Sequence, residues 1–157
     1  MTMHSAFQGV LLGLHTIAVM VWVGGLFGKY VFLRTAANEL DDPSKLLLWR
    51  KALQKFFPWM SAAMLVALVT GYAMVFTVFG GLAAAPLYIN LMQVIGVVMI
   101  ALFVWLFFVP WREFNYDIEA QNLSAAIANL KRIEKIVLAS LLLGIIAVAI
   151  NSTGAYW

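Results

Sequence analysis

The sequence predicts an all-α integral membrane protein that folds as a bundle of four transmembrane helices. Of its 157 residues, 64% are apolar and 11% are charged, whereas about a quarter of an ordinary soluble domain is charged. Four segments are long and apolar enough to cross roughly 30 Å of hydrocarbon as helices. We expect them at about residues 6–28, 57–79, 87–110 and 133–153, within one transmembrane domain of residues 1–157.

The connections between these segments carry recognisable helix signals. Asp42–Ser44 is a typical helix start, so helix two is predicted to extend into the cytoplasm from about residue 44. Pro58 lacks the N–H for an internal hydrogen bond and is expected to kink or restart that helix. Gly80–Gly81 and Pro86 predict a short second connection. Trp49 and Trp59 are expected to anchor the protein at the membrane–water interface.

Charge patterning predicts the orientation in the membrane. All seven acidic residues and all ten basic residues lie in or beside the first and third connections. The positive-inside rule then places both termini outside the cytoplasm of a bacterial inner-membrane protein. No carboxylate is expected within the spans, which excludes a carboxylate proton relay. The basic residues are Lys29, Arg34, Lys45, Arg50, Lys51, Lys55, Arg112, Lys131, Arg132 and Lys135.

Composition and motifs exclude several functions. The sequence contains no cysteine, which excludes disulfides, iron–sulfur clusters and covalent c-type haem. Any bound metal must therefore be held by histidine, methionine or oxygen ligands. We find no phosphate-binding glycine loop or nucleophile motif, and the basic clusters are juxtamembrane. Neither a nucleic-acid partner nor hydrolytic activity is expected.

His15 is the only histidine inside a predicted span. An ionisable ring at that depth is costly, so it requires a metal, a polar side chain or a backbone carbonyl as partner. Helix rise places His15 roughly 10 to 14 Å below the outer surface, and Met92, Met74 and Thr70 at comparable depths. A methionine could therefore join His15 as a metal ligand. The alternative is an interhelical hydrogen bond, for example to Thr70, Asn90 or Gln93.

The helix-one face that carries His15 continues through Ala18, Trp22 and Gly25. Small residues beside a histidine leave room for a flat macrocycle, with Trp22 as a wall. The alternative is close helix packing, which Gly24 and Gly28 also suit as a small-xxx-small pair.

Eight methionines raise the prospect of copper, because thioethers bind Cu(I) well. Met60 and Met64 lie one turn apart, although methionine is also a common core filler. Met1, Met3 and His4 place two thioethers and an imidazole within four residues on the outer side. They form the candidate copper site.

The segment Leu14–Phe27 resembles the first helix of the CopD-like superfamily. It has a histidine, a tryptophan seven residues later and then a glycine pair. It is also similar to HemJ-type protoporphyrinogen oxidases. Weaker similarity covers Gly71–Tyr72 and the fourth helix from Lys131 to Gly144.

These resemblances imply two different ligands. Proteins of the HemJ branch bind haem b through the helix-one histidine and use a lysine in helix three. Here Met92 stands in place of that lysine, which argues against protoporphyrinogen oxidation but supplies a histidine–methionine axial pair. The CopD branch is associated with copper resistance and copper uptake into the cytoplasm.

The first functional hypothesis is a haem b protein with an electron-transfer or quinol- or porphyrin-linked redox role, hence a membrane oxidoreductase. His15 would be one axial ligand and Met92 or Met74 the second. The alternatives are a CopD-type copper-handling protein and a non-catalytic subunit or assembly factor. A homodimer would bring two copies of His15 to one haem.

Overall fold

The structure is a computed structural model that describes residues 3–156, with the side chains of residues 5–154 and 156. Every element within that range is helical, which confirms the all-α prediction. The elements in chain order are α1 (Met3–Phe27), a π-helix (Gly28–Leu33), α2 (Arg34–Ala37), α3 (Asp42–Thr77), α4 (Leu87–Phe108), α5 (Pro110–Glu119), α6 (Leu123–Thr153) and a final 3-10 turn (Gly154–Tyr156).

Four helical stretches are long and apolar enough to cross a membrane, as the sequence predicted. They are Ser5–Ala37, Asp42–Thr77, Leu87–Glu119 and Leu123–Thr153. The first continues from α1 through the π-helix into α2, so the loop before α3 consists of residues 38–41 only. The chain is therefore a multi-pass membrane protein whose environment is a lipid bilayer.

Helix α3 runs without interruption through Pro58. It begins where the sequence indicated, because the Asp41 carboxylate accepts a hydrogen bond from the Ser44 N–H at 3.3 Å. Pro58 removes one backbone hydrogen bond, but Phe57 and Met60 on either side of it are buried in the bundle. The helix does not restart at Pro58, so of the two expected outcomes only a kink is compatible with α3.

The two ends of the bundle differ in charge. The end that carries α2, α5 and the first turns of α3 and α6 contains the ion pairs and is called the charged end. The end at which α1 and α4 begin and α3 and α6 finish is called the terminal end. At the charged end Arg34 pairs with Glu134, Arg50 with Glu119 and Arg132 with Glu113. These pairs join α2, α3 and α5 to their neighbours.

The tightest part of the core also lies at the charged end. Trp49 has no exposed surface and sits inside this core, so its prediction as an interfacial anchor is wrong, whereas Trp59 is 71% exposed. The amphipathic first turns of α3 place Trp49 on the side that faces the bundle, together with Leu46 and Leu53. Other fully buried side chains there are Phe114, Leu130, Ile133 and Val137.

The helices pack in two pairs that meet along α1 and α6. α1 packs mainly against α3, and α4 packs mainly against α6. Trp22 and Phe103 link α1 to α4 with ring centroids 6.0 Å apart. His15 consequently lies at the contact between α1 and α3.

Candidate functional site

The His15 ring is held by α3. Its Nδ1 lies 2.9 Å from the carbonyl oxygen of Ala67 and 3.1 Å from Oγ1 of Thr70. His15 lies seven residues from Gln8, whose side chain reaches the last turn of α3 at Thr77. The ring is therefore about 10 Å inside the terminal end of the bundle.

These contacts determine the tautomer of His15. A backbone carbonyl can only accept a hydrogen bond, so Nδ1 carries the proton and donates it to Ala67. The Thr70 hydroxyl donates to the Val66 carbonyl at 2.5 Å, so towards His15 it too acts as an acceptor. A neutral imidazole with its proton on Nδ1 has its lone pair on Nε2. A metal-binding histidine has this arrangement, in which the second ring nitrogen donates to a carbonyl.

Gly71 fixes the position of the ring. A Cβ atom at Gly71 would lie 3.0 Å from Cε1 of His15 and 3.4 Å from Nδ1. The absence of a side chain at Gly71 thus lets the ring approach α3 closely. Asn90 and Gln93, the other hydrogen-bond partners considered from the sequence, bind elsewhere: Asn90 donates to Ala85, and Gln93 donates to Asn90.

Ala18, Trp22 and Gly25 continue the His15 face toward the charged end, and this face packs on the neighbouring helices. Ala18 is 4% and Trp22 is 7% exposed. A Cβ at Gly25 would lie 2.8 Å from Cε of Met60, so the space beside this glycine is filled by α3. A flat macrocycle against Gly25 would overlap these side chains.

Gly24 and Gly28, which the sequence suggests for close helix packing, do not lie at a contact between helices. A Cβ at Gly24 or at Gly28 would meet no atom within 4 Å. Close contacts occur instead at Gly25, Gly71, Gly144 and Gly154.

Two half-buried methionines lie close to the level of His15. Met74 follows Thr70 by four residues on α3, which places it one turn, about 6 Å, nearer the terminal end. Val23 of α1 and Met99 of α4 both approach Gly144 and so mark one level of the bundle. His15 and Met92 lie about 12 Å and about 10 Å from that level, both toward the terminal end.

Lys29, which the sequence places at the first connection, is a buried cation. It lies inside the bundle with 8% of its surface exposed, and its ammonium is 4.2 Å from the centroid of the Phe56 ring. This cation–π contact offsets part of the cost of burial. The π-helical turn that carries Lys29 is a form often found at functional sites. The sequence does indicate this burial, because Lys29 follows Gly25 by four residues and so lies on the His15 face of the helix.

The remaining methionines are less informative. The side chains of Met1, Met3 and His4 lie outside the described residues, so the outer copper site stays a prediction. Met60 is buried against Gly25, and the half-buried Met64 packs against the same core. No group of three His, Cys, Asp or Glu side chains that could hold a metal occurs among the described residues.

Two cavities lie away from His15. One, of about 330 Å³, opens at the charged end between the π-helix, α2 and α6. The other, of about 300 Å³, lies beside Pro58 and is lined by Gln54, Phe57, Ser61, Phe107 and Trp111.

Comparison with known proteins identifies the family. Residues 50–153, about two thirds of the chain, match the family model described as copper resistance protein D, CopD. No curated protein and no solved structure matches the chain. The comparisons lend no support to the HemJ resemblance, and the matched region begins after α1, which carries His15. The chain belongs to the CopD family and is a copper-resistance-related membrane protein.

Proposed function

We propose that the protein binds Cu(I) within the membrane at His15 and thereby handles copper for transfer across the bilayer. The observation that carries the proposal is the hydrogen bond from Nδ1 of His15 to the Ala67 carbonyl, which leaves the Nε2 lone pair for a metal. Membership of the CopD family selects copper among the metals that imidazole binds.

Thioethers are the proposed partners of His15. Met74 and Met92 lie near its level on two different helices, and soft sulfur ligands favour Cu(I). His15 on α1, Met74 on α3 and Met92 on α4 would together bind the ion without a carboxylate. The outer Met1, Met3 and His4 are the proposed entry point.

The proposed orientation places the charged end in the cytoplasm and both termini outside it, in a bacterial inner membrane. The basic residues of the charged end support it through the positive-inside rule. Copper would then reach His15 from the terminal end, the nearer of the two.

Haem b is the competing ligand for His15, with Met92 or Met74 as second axial ligand and a quinone, porphyrin or redox protein as partner. The protonation of Nδ1 supports this alternative equally. The filled space beside Gly25 weighs against it.

Metal analysis and absorption spectroscopy of the detergent-purified protein separate the two ligands. We expect about one copper per chain after anaerobic loading with Cu(I), no stoichiometric iron and no Soret band. Protein from haem-replete cells that carries iron and a Soret band lost in His15→Ala would contradict the copper proposal and favour haem.

Thr70→Val is expected to weaken Cu(I) binding about tenfold. The substitution preserves the shape of the side chain but removes one of the two acceptors that orient Nδ1 of His15. Competition with a chromophoric Cu(I) chelator measures the affinity. Thr77→Val is the matched control, because Thr77 also bonds to its own helix, through Ala73, and lies at the end of α3. Equal affinities in wild type and Thr70→Val would contradict a role for Thr70.

A further inference from the structure

The cavity of about 330 Å³ at the charged end is lined by both charged and apolar side chains. The charged set consists of four basic side chains and one acidic side chain, a net formal charge of three positive. These residues are Arg34, Lys45, Lys131, Lys135 and Glu134. The apolar side chains belong to α6: Ile127 and Leu130 precede the two lysines, and Leu138 follows them toward the membrane-spanning segment.

Part of the basic charge is fixed in place by contacts within the cavity wall. Arg34 donates from Nε to Glu134 at 3.3 Å, and its guanidinium lies 5.1 Å from the centroid of the Tyr30 ring. Lys45 donates to Oδ1 of Asn38 at 2.6 Å. Glu134 thus neutralises one cation and positions it, while the net charge of the cavity stays positive.

Lys131 and Lys135 supply the charge that is left for a ligand. They lie one turn apart on α6, both are exposed, and neither has an ion-pair partner among the described residues. Two ammonium groups on one helix face, beside a fixed guanidinium, suit a phosphate ester.

An apolar track leads from the cavity along the membrane-spanning part of α6. Leu138 lines the cavity, and Leu142 and Ile145 follow it at steps of four and three residues on the same face. Leu142 and Ile145 are 52% and 49% exposed, so the track connects the basic residues of the cavity to the bilayer. A free phosphate ion would use only the basic residues, whereas a phospholipid would use both the basic residues and the track.

We propose that this cavity binds one anionic phospholipid, with its phosphate group between Arg34, Lys131 and Lys135 and an acyl chain along Leu138 and Leu142. The proposal is independent of the metal at His15, which lies toward the opposite end of the bundle.

Native mass spectrometry of the detergent-purified protein, titrated with phosphatidylglycerol or phosphatidylcholine, tests the proposal. We expect one phosphatidylglycerol to be retained in preference to phosphatidylcholine. The double variant Lys131→Gln/Lys135→Gln is expected to lower phosphatidylglycerol affinity about thirtyfold, or roughly fivefold per charge.

Lys51→Gln/Lys55→Gln is the matched control. It removes two exposed lysines of the same spacing at the same end, on α3 and outside the cavity lining. This control variant should retain wild-type affinity for phosphatidylglycerol. An equal loss in both double variants would show a general surface-charge effect and overturn the proposal. So would equal retention of the two lipids, or inorganic phosphate that competes as strongly as the lipid.

Discussion

Replacing His15 by glutamine is expected to lower Cu(I) affinity by more than about 100-fold, beyond the roughly 10- to 100-fold cost of changes around a ligand. Glutamine can still donate an amide N–H toward the Ala67 carbonyl that now accepts from Nδ1. It offers the metal only an amide oxygen, which is a poor ligand for Cu(I). The bundle should therefore stay folded while the nitrogen ligand is lost.

The measurement is a competition titration against a chromophoric Cu(I) chelator under anaerobic, reducing conditions, with circular dichroism to verify the fold. His4→Gln is the matched control, since it changes the only other histidine in the chain. It should weaken loading much less than His15→Gln. If only His4→Gln loses copper, the site is at the amino terminus.

If neither histidine variant changes copper affinity, His15 serves only to join α1 to α3. The hydrogen bond from Nδ1 would then be the whole reason for a histidine at this depth, as in the interpretation of the protein as a non-catalytic subunit or assembly factor. The glutamine variant distinguishes these roles because it can replace the hydrogen bond but not the metal ligand.

The number of membrane-crossing helices could be predicted from the sequence because it depends on the length and the summed hydropathy of each apolar segment. Each apolar stretch approaches or exceeds the hydrocarbon thickness, and tertiary contacts do not alter the length of these stretches.

The ends of helices depend on local caps instead. The Asn122 side chain accepts from the Ala125 N–H at 3.2 Å and starts α6 at Leu123, well before the apolar segment expected from residue 133.

Lys29 shows that the first charged residue after an apolar segment does not mark the end of a helix. The sequence predicts that the first helix ends at about residue 28, and the helix continues for eight residues past Lys29 to Ala37. The helical period gives the better indication, because His15, Ala18, Trp22, Gly25 and Lys29 follow one another at steps of three or four. Only the packed structure shows that Phe56 of α3 covers the ammonium group.

The sequence limits the hydrogen-bond partners of His15 to a few residues at its depth but does not identify which of them it contacts. Depth along a helix follows from the rise per residue, and it correctly brought Thr70 to the level of the ring. Rotation of the helix about its axis is set by packing, which turns the Ala67 carbonyl and Gly71 toward His15. Neither residue has a side chain that would indicate a contact with histidine.

Gly144→Leu is expected to destabilise the bundle by about 1–3 kcal/mol, the usual cost of overpacking a core. Three helices meet at Gly144, where a Cβ atom would lie 2.9 Å from Cγ2 of Val23 and 3.3 Å from Cε of Met99. The methionine can move aside, but the β-branched valine on a helix has one strongly preferred rotamer. The helices would have to separate to admit a larger side chain.

Gly96→Leu is the matched control for this overpacking. Gly96 lies within α4, and a Cβ there would meet no atom within 4 Å. The control should be neutral or slightly stabilising, because leucine is the better helix former. Unfolding in mixed micelles, followed by circular dichroism, gives both free energies. Equal losses would mean that any large residue in place of glycine disturbs the helices, whereas a loss confined to Gly144→Leu assigns the contact of α1, α4 and α6 to that glycine.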